Sequence, residues 1–134
     1  MLKKQGNDSI DMEKIYTTFF DNIHNLSDDI IPISISLKPP DWWDGLEYKK
    51  LAPKKEFFLK WRETRDEAYY TQCFYAEVIS QLDAKVVVAE LQEIASTHKK
   101  IALVCYEEPH QFCHRALIAQ WLRINGFEVE EFEN

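Results

Sequence analysis

A continuous apolar run, Ile101-Ala102-Leu103-Val104-Cys105-Tyr106, stands between Lys99-Lys100 and Glu107-Glu108. With no polar alternation inside it, this segment is expected to form a central strand of a parallel sheet, covered on both faces. Parallel neighbours cannot be joined by tight hairpins, so the remaining chain must supply long crossovers, usually helical ones. The run therefore predicts a layered α/β domain.

The flanking segments agree with that prediction. Lys14-Ile15-Tyr16-Thr17-Thr18-Phe19-Phe20 gathers β-branched and aromatic residues into a first strand. Ile31 to Leu37 alternates apolar with small or polar residues and reads as a second, ended by Pro39-Pro40, which cannot donate to a ladder. Phe127-Glu128-Val129-Glu130-Glu131-Phe132 alternates and is expected at a sheet edge. Between them, Phe57, Phe58 and Trp61 predict a helix over 54–65 behind Pro53. Tyr70, Phe74, Val78 and Leu82, at steps of four, predict a second over 67–82. A third is expected over 84–96 and a fourth over 112–125, stopped by Asn125-Gly126. The fold class is α/β: a Rossmann-like three-layer open sheet of about four mainly parallel strands with helices on both faces. Residues 1–12 are polar and aperiodic and read as a flexible arm, leaving 13–134 as a single domain.

Charge narrows the function classes. With 23 acidic and 16 basic residues the net charge is −7, so the chain lacks the basic face of a general DNA-binding surface. A small anionic ligand or nucleotide remains open as a partner, because single arginines and helix termini act at contact range. No apolar stretch approaches the roughly 20 residues of a membrane span, and the first residues carry no signal-like apolar segment. Cys73, Cys105 and Cys113 are odd in number, which suits thiols in a reducing compartment and a cytoplasmic location.

In open α/β sheets ligands bind beyond the carboxyl ends of the strands. The segment following the central strand, Cys105-Tyr106-Glu107-Glu108-Pro109-His110-Gln111-Phe112-Cys113-His114-Arg115, is dense in reactive side chains. Cys113 falls at a predicted helix start, where free backbone N–H groups favour a thiolate or a bound phosphate. On the functional reading Cys113, Glu107 and His114 are catalytic candidates, while Arg115, Cys105 and Tyr48 bind the ligand. On the structural reading Cys113 is a small buried residue, and His114 and Arg115 bond to neighbouring groups such as Glu107 or Glu108 to fix the loop. Cys105, Cys113, His110 and His114 are all suitable zinc ligands, but the spacing lacks a C-x2-C pair, and no metal is expected there. A redox pair would require the Cα atoms of Cys105 and Cys113 to lie within about 7 Å. Trp42, Trp43 and Tyr48 offer planar surfaces for stacking, or for core packing. No G-x-G-x-x-G, Walker A, G-x-S-x-G or deaminase zinc element occurs, and no cofactor is expected.

The run Ile101 to Glu107, followed by Phe112-Cys113-His114-Arg115 and a helix carrying Trp121-Leu122, resembles the signature of the domain of unknown function family 488. Ile15 to Phe20, Pro32 to Ser36 and Leu51-Ala52-Pro53 are similar to its other elements, so the likeness covers about residues 14–132. The resemblance implies a small Rossmann-like domain and leaves its reaction open. The two functional expectations are thus a small enzyme or ligand-binding domain that holds a phosphate-bearing group, or a non-enzymatic assembly module built on the same residues.

Overall fold

The computed structural model describes residues 14–96, 100–107 and 112–133; the arm expected over 1–12, and Glu108 and His110, lie outside these. Its strands are β1 (Ile15–Phe19), β2 (Ile30–Ser34), β3 (Leu46–Glu47), β4 (Lys100–Cys105) and β5 (Val129–Glu131). They form one sheet in the order β3-β2-β4-β1-β5, every pairing parallel. The apolar run is the central strand: Ile101 pairs with Ile15 and Ile31, and Leu103 with Thr17 and Ile33. The sheet is Rossmann-like, and β5 is an edge strand. Among the described residues the sheet has one strand more than the sequence patterns suggest, because β3 is only two residues long and shows no alternation.

Four α-helices follow: α1 (Lys55–Thr64), α2 (Glu67–Glu77), α3 (Ala84–Ala95) and α4 (His114–Ile124). Asp66 caps α2 by accepting from Tyr69 N at 3.1 Å, and Asp83 caps α3 by accepting from Lys85 N at 2.9 Å. The helix expected over 67–82 stops at Glu77 and gives way to a 3-10 turn, Ile79–Gln81. There Ser80 Oγ donates to the Ala76 carbonyl at 2.5 Å, a local bond that competes with continued α-helix. The apolar stripe still reaches its target, since Tyr70, Phe74, Val78 and Ile79 are all buried.

All four α-helices contribute to one buried core with the same face of the sheet, where Ile15, Ile33, Ile101 and Leu103 meet Phe74, Leu91, Ile118 and Leu122. The opposite face carries the 3-10 helix Phe20–Asn25, whose Asn22 Nδ2 donates to Thr18 Oγ1 at 3.2 Å. This division follows from right-handed crossovers. The connections β1 to β2 and β2 to β3 run one way across the sheet, and the two helical connections run back the other way on the far side. Among the described residues no helix is long and apolar enough to cross a membrane.

Candidate functional site

The carboxyl ends of β2 and β4 and the amino end of α4 meet at one place. Cys105 is the last residue of β4, and Cys113 is the N-cap of α4 with extended backbone. Cys113, His114 and Arg115 therefore enter the helix next to the strand end that carries Cys105, and all four side chains are buried. The Cys105 and Cys113 sulfurs touch, while their Cα atoms stand 7.8 Å apart. That separation lies beyond the about 4.4–6.8 Å span of an ordinary disulfide and weighs against a redox pair.

His114 is held by its far nitrogen. Nε2 lies 2.9 Å from the Ile35 carbonyl, which can only accept, so Nε2 carries the proton. Nδ1 then presents a lone pair, 3.7 Å from Cys113 Sγ. Burial, aided by the neighbouring Arg115 charge, pushes His114 down to about 4 against the pull of the Ile35 carbonyl, so the ring is neutral at neutral pH. A ring so hard to protonate is a weak general base, and its Nδ1 lone pair carries no proton at neutral pH.

Four of the five N–H donors of the Arg115 guanidinium have partners among the described residues. Its Nε and Nη2 donate to Glu131 Oε1 and Oε2, each at 3.0 Å, and Nη1 donates to Cys105 Sγ at 3.0 Å and to the Glu107 carbonyl. The ring of Phe19 stacks 5.9 Å from its carbon. Arg115 ties α4 to β5 and to the end of β4 from beneath the loop.

Beside these groups opens a cavity of about 450 Å³, lined by Cys105, Glu107, Cys113 and His114 but not by Arg115. Its opposite wall comes from α1 and the residue capping it, with Trp61, Arg62 and Arg65; Lys38 adds a third cation. Among the described residues none of these three cations makes an ion pair. Arg65 ends α1 in the left-handed region at φ 57°, a place where glycine costs least, and its guanidinium lies 5.3 Å over the Trp61 ring. Trp61, Tyr70 and Phe112 make an aromatic wall with ring centres 4.8–5.8 Å apart. Ser36 Oγ, also on the lining, is the buried side-chain polar atom without a partner among the described residues.

Of the six residues named from sequence, Cys105, Glu107, Cys113 and His114 share this cavity, and Arg115 supports it from behind. Tyr48 stands apart: its hydroxyl donates to Glu90 Oε1 at 2.5 Å, and it does not line the cavity. Trp42 and Trp43 pack edge-on against Phe20, with centres 6.0 and 5.3 Å away. Arg62, Arg65 and Ser36 went unnoticed in the sequence, although two arginines three apart at a helix end are a usable signal. Glu131 gives no such signal, because an acidic residue on an edge strand normally faces water.

A family profile described as the active DUF488-N3 subclade matches residues 23–126. No curated protein and no solved structure matches the chain.

Proposed function

The chain belongs to the DUF488 family, and from that footing we propose that the cavity binds a phosphate-bearing, nucleotide-like ligand as a small enzyme or ligand-binding domain. The observation that carries the reading is that three cations, none of them in an ion pair among the described residues, line one cavity together with reactive groups. Arg62, Arg65 and Lys38 face it in a chain of net charge −7, opposite Cys105, Cys113 and His114. An anionic group satisfies the cations by charge-assisted hydrogen bonds. A flat apolar portion suits the wall of Trp61, Tyr70 and Phe112, and Ser36 Oγ is a polar group awaiting a partner. The remainder of the ligand then lies against the thiols, with Glu107 on the same lining as an acid or base. The arginine at a left-handed helix end adds weight. A glycine there would relieve about 1 kcal/mol of backbone cost, whereas the arginine places a guanidinium over Trp61 and on the cavity.

In this reading Arg115 is a positioning residue, since it does not line the cavity and four of its five donors go to Glu131, Cys105 and Glu107. The experiment is a titration of inorganic phosphate and mononucleotides followed by calorimetry or tryptophan fluorescence. Saturable binding is expected, weakened about tenfold or more in Arg62→Ala and in Arg65→Gly, as the loss of one charged hydrogen bond implies. Arg65→Gly should be no less stable than the parent. A folded parent protein that saturates with no phosphate-bearing ligand would sink the proposal. Equal affinity in both arginine variants would remove the assigned anion site.

A further inference from the structure

The geometry points to a metal site on the floor of this cavity: we infer that Cys105 Sγ, Cys113 Sγ and His114 Nδ1 together bind one thiophilic divalent cation, zinc by preference, with the fourth position open to the cavity. The inference goes beyond the anion reading and stands on separate atoms. The three ligand atoms lie within 4.8 Å of one another, on three buried residues. A tetrahedral zinc with sulfur at about 2.3 Å and imidazole nitrogen at about 2.0 Å places its ligand atoms roughly 3.5–3.8 Å apart. The Nδ1 to Cys113 Sγ distance is already 3.7 Å. The sulfurs now touch, so uptake of the cation requires their side chains to rotate until the sulfurs stand at that spacing.

Backbone spacing favours a bridged pair over a bonded one. Relative to a disulfide bond of about 2.05 Å, a metal between two thiolates lengthens the sulfur-to-sulfur span by about 1.7 Å. A Cα separation of 7.8 Å is too long for the first and suits the second. The surroundings have the form of a zinc second shell. Nε2 of His114 donates to the Ile35 carbonyl, which fixes the ring and its tautomer and leaves Nδ1 to ligate. Arg115 Nη1 donates to Cys105 Sγ, as a donor does to a ligating thiolate.

Charge also balances. Uptake of the dication releases two thiol protons to solvent and leaves two thiolates on one Zn2+, a neutral group, with no change of oxidation state. Arg115 is separately neutralised by Glu131. Without a metal, two buried thiolates would have only a guanidinium that is already paired. Three protein ligands and an open fourth position are the form of catalytic zinc, which binds water or a substrate oxygen there. The cavity on that side, with its cations, admits such a ligand.

The test uses the full chain, reduced and stripped with a chelator, then titrated with Co2+ and with Zn2+. One Co2+ per chain is expected, with intense tetrahedral bands and thiolate-to-cobalt charge transfer, displaced by Zn2+. Zn2+ should raise the melting temperature and protect two of the three thiols from alkylation, leaving Cys73 reactive. Cys105→Ser and Cys113→Ser should each lose the charge-transfer intensity, and Cys73→Ser should keep it. Arg65→Gly should also keep it, so failure of anion binding is read apart from failure of the metal site. A folded, reduced parent chain that takes up no Co2+ or Zn2+ overturns the inference. So does protection of Cys73 in place of Cys105 and Cys113, a result that needs no variant to fold.

Discussion

Arg115 and Glu131 meet in a two-pronged ion pair, Nε to Oε1 and Nη2 to Oε2 both at 3.0 Å, with the arginine side chain 4% and the glutamate 23% exposed. The pair bolts the first turn of α4 to the edge strand β5, and the remaining guanidinium nitrogen reaches back to the end of β4. Arg115→Ala is expected to cost about 3–5 kcal/mol, the usual result of breaking a buried pair from one side. Glu131→Gln should cost about as much, about 3–5 kcal/mol, because its amide sets an NH2 against one of the two Arg115 N–H donors and leaves the buried guanidinium without a counter-ion. Arg115→Lys recovers little, since an ammonium cannot bond both carboxylate oxygens and Cys105 at once. Urea denaturation monitored by far-UV circular dichroism reads all three. An Arg115→Ala protein as stable as its parent would show that the pair does not hold the edge strand.

The Tyr48 hydroxyl and, secondarily, the Lys50 ammonium hold the Glu90 carboxyl below its ordinary value of 4.5. A carboxyl lowered in the folded state stabilises the fold above that ordinary value and loses the contribution as pH falls through the lowered one. Acid should therefore weaken the parent more than Glu90→Gln, with the difference appearing below about pH 4.5. Melting curves at pH 7 and at pH 3 check the sign. Tyr48→Phe should share the flattened acid response and leave nucleotide affinity unchanged, because Tyr48 does not line the cavity.

Phe74 is fully buried beneath the site, with ring centres 6.1 Å from Tyr70, 6.4 Å from Phe57 and 5.6 Å from His114. Phe74→Ala should cost about 3–5 kcal/mol through lost burial and the cavity left behind. It should also loosen the His114 ring, which would weaken Co2+ uptake. Phe74→Leu should cost markedly less. Chemical denaturation beside the cobalt titration separates the two effects, and a full-strength cobalt spectrum in Phe74→Ala would refute the coupling.

Gly45 has no room for a side chain: a Cβ there would lie 2.8 Å from Trp43 Cζ2. Trp43 is itself tied by its indole N–H to the Leu46 carbonyl at 3.2 Å, so the ring cannot simply swing aside. Gly45→Ala is expected to cost about 1 kcal/mol, the low end of overpacking at a partly open position. The near-UV circular dichroism of the tryptophans should change with it. An unaltered spectrum and melting temperature would mean that the loop yields freely.

Local pattern carried much of this molecule. The apolar run from Ile101 to Cys105 lies in the middle of the sheet because five buried residues with no polar alternation have only one comfortable place in a parallel α/β fold. Helices at 54–65 and 84–96 form within a residue of their expected bounds, since a stripe of apolar residues and a capping aspartate or a preceding proline are local signals. The helix predicted as far as Leu82 did not persist, because Ser80 offered its neighbour's carbonyl another partner. β3 was illegible because two residues have no period, and it exists only through its partners Ile33 and Ser34 on β2.

The site divides the same way. Cys105, Glu107, Cys113 and His114 are close in sequence, so a strand end followed by a helix start was bound to bring them together, and their clustering was readable before any fold was known. Which of them faces a cavity and which is walled in was decided by distant parts of the chain. Glu131, sixteen residues on, claimed Arg115 and turned a candidate ligand-holder into a strut. Ile35, seventy-nine residues back, took the proton-bearing nitrogen of His114 and aimed the other at the sulfurs. α1 brought Arg62 and Arg65 to the far wall. Spacing along a chain records what a residue's neighbours are in one dimension, whereas hydrogen-bond partners and burial are set by elements that meet only when the sheet closes and the helices pack on it.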